Sequence, residues 1–146
     1  MGKRTFDMAQ YRFRNEVLIM TKCPYCDISN NGDKHEIIIK NDSCTYSLLE
    51  NQEIRGAGII VPHIHRESVF DLSEEEWNAT YHLLIKVKQY VDQNYSPDGY
   101  NIGWNCGDVG GQHIFHAHLH VIPRYSNEKM AGKGIRYLFK NNQIID

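Results

Sequence analysis

Apolar and polar residues alternate in short runs along most of this chain, and a single stretch breaks that rhythm with a helical period. Residues 36–40 and 45–49 predict two strands with Asn41-Asp42 as the turn of a hairpin, and residues 58–61 predict a third that ends at Pro62. At Ser73 the period changes. Ser73-Glu74-Glu75-Glu76 has the spacing of a capping box and places three carboxylates at the positive end of a helix dipole. Trp77, Tyr81, Leu84, Val87 and Val91 then recur at helical spacing and predict the face turned to the core. The helix ends near Asn94, before the turn Ser96-Pro97-Asp98-Gly99, and a strand follows over residues 100–105. A glycine-rich loop, Cys106-Gly107-Asp108-Val109-Gly110-Gly111, leads to the last strand. Short strands, one long helix and two closing strands make an α+β domain with an antiparallel meander sheet.

The last strand carries the strongest pattern. In the run from Gln112 to Arg124, Phe115, Ala117, Leu119 and Val121 are apolar, so a strand would bury them and present His116, His118 and His120 as one row. Next neighbours in such a row lie roughly 6.5 Å apart at the backbone. Four of the eight histidines fall between 113 and 120, and histidine is a poor choice as mere strand filler. A row of imidazoles suits the successive groups of an extended anion, or shared metal binding and catalysis.

With 146 residues the chain is the size of one domain, divided here into an arm (1–22), the domain proper (23–125) and a C-terminal tail (126–146). Sixteen Lys and Arg against 18 Asp and Glu leave no global field for nucleic acid or an acidic membrane surface, so phosphate recognition must be local. The apolar run Val17-Leu18-Ile19-Met20 is too short for a signal peptide or a membrane span, which predicts a cytoplasmic protein. Four cysteines are few for a disulfide scaffold. Lys129, Lys133, Arg136 and Lys140 in the tail read as solvated surface charge, with contact to a polyphosphate as the alternative.

Two constellations carry chemistry. A histidine that attacks phosphorus needs a neutral nitrogen aimed in line, a partner on its other nitrogen, and donors for the phosphoryl oxygens. The central His118 is best placed for attack, with His120 beside it and the amides of Asn105 and Gln112 near the start of the row. The second constellation is Cys23-Pro24-Tyr25-Cys26, whose thiolates can chelate one zinc and leave two tetrahedral positions for other ligands. The same spacing serves redox catalysis, but Asp27-Ile28-Ser29-Asn30-Asn31-Gly32 carries turn residues where that chemistry needs a helix. An idle pair is the third reading. Cys44 and Cys106 read as small buried residues.

His116-Ala117-His118-Leu119-His120-Val121-Ile122 resembles the signature of the histidine triad (HIT) superfamily, as do Gly110-Gly111-Gln112, Asn105 and Ile59-Ile60-Val61-Pro62. The resemblance runs from about residue 20 to 125. Pro123-Arg124, with Ala131-Gly132-Lys133-Gly134 beyond, is similar to the bacterial and dinucleoside-polyphosphate-hydrolase-like branch. It implies a HIT-like fold, a homodimer through the long helix and a sheet edge, and cleavage of a purine nucleotide or dinucleotide at its α-phosphorus. His118 would form the nucleoside-phosphohistidine, His116 orient it, and His120 contact phosphate. Gln112 would touch the bridging atom and Asn105 a phosphate oxygen. His113 stands where many relatives have Ser or Thr. By the same similarity Tyr25 and Ile28 flank the base, and Glu50 or Asn51 accepts from the ribose. His65 and His116 would complete a structural zinc site with Cys23 and Cys26, with His35 and His63 as competing ligands. Two other classes stay open: a nucleotide-binding module with negligible turnover, and a hydrolase that holds a catalytic metal on the histidine row.

Overall fold

The computed structural model describes residues 23–28, 36–49 and 53–137. In chain order it has strands β1 (Glu36–Lys40), β2 (Cys44–Leu48) and β3 (Gly58–Pro62), a 3-10 turn (Val69–Asp71), helix α1 (Glu74–Tyr95), and strands β4 (Gly99–Trp104) and β5 (Leu119–Arg124). The hairpin turn forms as expected because the Asn41 side-chain oxygen accepts from the backbone N–H groups of Ser43 (3.0 Å) and Cys44 (2.9 Å). All pairings are antiparallel, in the order β1-β2-β3-β5-β4. The sheet is therefore two meandering pieces, β1-β2-β3 and β4-β5, joined through α1 so that the last strand lies against β3.

Helix α1 begins where its capping box puts it. Ser73 Oγ accepts from the Glu76 N–H (3.1 Å) and the Glu76 carboxylate accepts from the Ser73 N–H (2.9 Å). The helix closes at Ser96, which adopts a left-handed φ of 49°. Its buried face differs from the predicted one. Glu76, Thr80, Leu83, Val87 and Val91 point inward, whereas Trp77 and Tyr81 are 52% and 58% exposed. Polar residues take the first inward positions because each is satisfied there: Glu76 is paired with Arg66 at 2.9 Å, and Thr80 Oγ1 donates to the Glu76 carbonyl at 2.8 Å. Trp77 instead stacks on Trp104 of β4, with ring planes 19° apart.

Both faces of the sheet are covered. Leu83, Val87 and Val91 pack on Cys44, Tyr46, Leu48, Ile60, Leu119 and Val121. On the opposite face the 23–28 turn packs Cys23, Tyr25 and Ile28 against Ile59 and Val61. This double cover is why β2 and β3 are buried at every position.

The histidine strand starts later than expected. From Leu119 to Arg124 the alternation holds, with Leu119, Val121 and Pro123 buried and His120, Ile122 and Arg124 half-buried. Upstream of Leu119 it fails: His116, Ala117 and His118 are all buried. The Ala117 N–H donates to the Arg66 carbonyl (2.6 Å), so this segment crosses residues 62–67 and is walled on both sides. Past β5, the Arg124 guanidinium donates to Glu128, Asn101 and the carbonyls of Met130 (2.5 Å) and Lys133 (2.7 Å), fastening the following segment beside β4. Among the described residues no helix is long and apolar enough to cross a membrane.

Candidate active site and metal centre

His118 Nδ1 lies 2.8 Å from the backbone oxygen of His116. A carbonyl only accepts, so Nδ1 carries the ring proton and Nε2 keeps its lone pair. Burial holds the His118 pKa below its ordinary 6.5, and the charges of His120 and His116 push the same way, while the carbonyl bond acts in the opposite sense. His120 is also held down by burial. The two rings sit 4.8 Å apart, edge to face, and Tyr25 meets His118 edge-on at 5.1 Å. The His118 ring, with Nε2 unprotonated, is thus flanked by the His120 imidazole and an aromatic wall.

The loop after β4 turns tightly enough to need glycine: Gly107 and Gly111 have φ of 75° and 89°. Asn105 is exposed at its start and donates to the Gly111 carbonyl at 3.4 Å. Gln112 departs from its expected role. It is fully buried, its side-chain nitrogen donates to the carbonyls of Glu67 (2.6 Å) and Ile114 (3.1 Å), and its oxygen accepts from the Gly107 N–H (2.9 Å). Every polar atom of that amide is engaged with backbone, so in this conformation Gln112 braces the loop. His113 follows it, exposed.

Cys23, Cys26, His65 and His116 converge on one point, their ligand atoms all within 4.8 Å of one another. The sulfur-to-Nδ1 distances are 3.8 Å (Cys23 to His65), 3.6 Å (Cys23 to His116), 3.3 Å (Cys26 to His65) and 3.5 Å (Cys26 to His116). A tetrahedron with ordinary zinc–sulfur and zinc–nitrogen bonds has an S···N edge of about 3.5 Å, so these four distances bracket the value a zinc ion requires. With its ring proton on Nε2 toward the Pro62 carbonyl, a neutral His116 has no Nδ1 proton to give, so hydrogen bonds do not serve all four contacts, whereas a shared cation does. Burial opposes ionisation of Cys23, but contacts from His116, His65 and Cys26 outweigh it and bring the thiol down to about 5. Burial, then the neighbouring Cys23 sulfur and its charge, push Cys26 up to about 12. A dication at the centre would draw both protons. His116 Nε2 donates to the Pro62 carbonyl at 2.8 Å, which fixes the ring with Nδ1 facing the cluster.

Of the competing ligands, His63 lies elsewhere, bonded to Thr45 Oγ1 (2.8 Å) and the Asp42 carbonyl (3.1 Å). His35, Glu50 and Asn51 fall outside the described residues. Tyr25 and Ile28 are buried in the second core, at 6% and 1% exposure, and neither offers an open face to a base. His116 faces the sulfur cluster with Nδ1 and the Pro62 carbonyl with Nε2, so it is not free to join His118 and His120 on a metal along the histidine row. Cys44 is buried as expected, with its thiol pushed up to about 11 chiefly by that burial. The pattern did not reveal residues 62–67 as the strap of the site. Its contacts run through the carbonyls of Pro62, Arg66 and Glu67, which leave no side-chain signature.

These features define a two-layer α+β protein with an oriented histidine pair beside a Cys2His2 centre. The HIT domain family model matches residues 31–127, and the chain belongs to that family. "Protein hit" of Bacillus subtilis is 30% identical over 104 residues, covering 70% of this chain and 71% of that protein. Two relatives carry named activities. Adenosine 5'-monophosphoramidase hnt1 of Schizosaccharomyces pombe is 29% identical over 80 residues (55% of this chain, 57% of that protein). Adenylylsulfatase HINT3 of Arabidopsis thaliana is 24% identical over 106 residues (73% and 54%). Among solved structures, a zinc-bound histidine triad family protein from Mycobacterium smegmatis shares the fold with a TM-score of 0.68 at 24% identity, covering 78% of this chain and 82% of that one.

Proposed function

We propose that this protein cleaves nucleotides at the α-phosphorus, using His118 as a covalent nucleophile. The observation that carries this reading is the His118 Nδ1 bond to the His116 carbonyl, which leaves Nε2 with its lone pair in a buried, neutral ring. Nε2 attacks phosphorus, a histidine–phosphorus bond forms, and the bond to the leaving group breaks. Water then displaces His118 and nucleoside monophosphate departs. Over both steps the hydroxyl of one water ends on phosphorus and its proton on the leaving group. His120 and Asn105 supply N–H donors to the phosphoryl oxygens, so positioning and electrostatics do most of the work.

Dinucleoside polyphosphates are the first substrate class, and nucleoside phosphoramidates or adenylylated conjugates the second. Relatives named as a monophosphoramidase and an adenylylsulfatase support a nucleotidyl substrate. The S2N2 donor set suits zinc, and a zinc-bound structural neighbour supports the assignment. Held by Cys23, Cys26, His65 and His116, zinc would supply charge that keeps both thiols ionised and ties the 23–26 turn to the rest of the site. A homodimer is part of the same reading. Trp77, Tyr81 and Ile85 form an exposed apolar stripe at i, i+4 and i+8 of α1, next to Trp104 on the edge strand β4.

Intact-protein mass spectrometry after reaction with a diadenosine polyphosphate and with an adenosine phosphoramidate tests the mechanism. A nucleotidyl adduct or turnover in the wild type that vanishes in His118→Ala is the expected result, with His120→Ala as the comparison. Folded wild type that gives neither adduct nor turnover with either compound overturns it.

A further inference from the structure

One residue joins the metal centre to the nucleophile. His116 presents Nδ1 to both sulfurs, donates from Nε2 to the Pro62 carbonyl, and accepts the His118 ring proton on its own backbone oxygen. A second connection runs through the turn itself: Tyr25, between the two cysteines, packs its ring edge-on against His118. Whatever releases the turn removes the wall beside His118 and loosens the residue that orients it.

The turn also carries the chemistry for its own release. Cys26 is partly exposed while Cys23 lies buried behind it, and both sulfurs belong to a cluster of atoms within 4.8 Å. Bonded sulfurs stand about 2.05 Å apart, far closer than the edge of a zinc tetrahedron, so a disulfide and a metal cannot share this turn. We propose that the Cys23-Pro24-Tyr25-Cys26 turn is a hydroperoxide-sensitive lock on His118, in which oxidation to a disulfide expels the metal and frees the imidazole. This deepens the nucleophile reading as regulation of the same site.

The step balances with a hydroperoxide as oxidant. The Cys26 thiolate attacks the O–O bond, taking one oxygen as a sulfenate and releasing the other, once protonated, as an alcohol or water. The Cys23 thiolate attacks that sulfur, the disulfide bond forms, and the second oxygen leaves with protons as water. Two electrons pass from the sulfurs to the peroxide, two protons are consumed, and the metal dication departs with its thiolate charges gone.

The test uses the zinc-loaded full chain carrying Cys106→Ser, which leaves the pair and the buried Cys44 as the thiols present. Hydrogen peroxide is added at one fixed pH and three signals are read without substrate: zinc captured by a chromogenic chelator, intact mass, and nitrogen NMR of labelled histidines. The expected result is one zinc released per chain, a metal-free mass lighter by two hydrogen atoms, and a His118 signal that changes from a single Nδ1–H form to an average of both. A dithiol reductant with added zinc restores the starting spectrum. Zinc release with an unchanged His118 signal overturns the proposal. So does a mass showing no disulfide, or collapse of the whole amide spectrum, which would mean unfolding and no local lock. Because no readout involves turnover, an inactive protein with an intact lock sinks only the nucleophile reading, and an active protein whose His118 ignores oxidation sinks only the lock.

Discussion

Replacing Gln112 by Met keeps most of its volume and removes all three hydrogen bonds, at 2.6, 2.9 and 3.1 Å, that hold the 107–111 loop to Glu67 and Ile114. Each such bond contributes about 1 kcal/mol net. Because the side chain is 1% exposed, water cannot take its place, which puts the total near 3 kcal/mol. For a domain of this length that is roughly 10 °C in melting temperature. Gln112→Glu should be worse, since a carboxylate oxygen would face two carbonyls where an amide donor stood. Urea denaturation of wild type and both variants gives the stability, and turnover measured at a temperature where all are folded gives the activity. The expected result is a large stability loss, ordered Glu beyond Met, with activity falling alongside. A Gln112→Met protein as stable as wild type but devoid of turnover would refute the strut and return Gln112 to the substrate.

Four further outcomes follow from the geometry. Since His118 must be neutral to attack and its folded pKa lies below 6.5, kcat/KM should hold through neutral pH and fall only as pH drops below that value; a midpoint above 6.5 in the pH–rate profile contradicts the burial argument. His120 is shifted the same way, so the acid limb belongs to the pair. Chelating the metal from the Cys23, Cys26, His65 and His116 centre should lower stability by about 4 kcal/mol when zinc had been present at a thousand times its Kd, read by calorimetry with and without chelator. Trp77→Glu on the exposed stripe should convert a dimer to a monomer in sedimentation velocity while the helix content stays unchanged. Gly58→Ala would put a methyl 2.5 Å from the Tyr46 ring and 2.6 Å from the Ser47 carbonyl, and should cost at least about 2 kcal/mol in the same denaturation assay.

The strands and the start of the helix were legible because their signals are local: alternation, an Asx turn at Asn41, a capping box at Ser73. The inward face of α1 was not. Trp77 and Tyr81 fit the apolar period, but Glu76 gains an arginine partner ten residues upstream, and no periodicity announces such a pair. The histidine row was legible as chemistry and misleading as geometry. A strand buries one face, yet residues 116–118 are buried on both because the 23–28 turn and the 62–67 strap enclose them. His65 and His63 are two positions apart at the end of β3, and only the neighbouring Thr45 hydroxyl shows which of them is already engaged. Gln112 belonged to the right motif but faces backbone, a distinction carried by three main-chain atoms and by no residue type.

The donors of the Cys23, Cys26, His65 and His116 cluster are unevenly spread along the chain: the pair 23 and 65 is 42 residues apart, and the pair 23 and 116 is 93 apart. A chain growing from its N-terminus therefore carries two of these donors until it reaches residue 65, three until residue 116, and all four only beyond that. His118 is made two residues after that fourth donor. His118 and the residue whose carbonyl holds its ring therefore emerge together, after the other three donors are already in the chain.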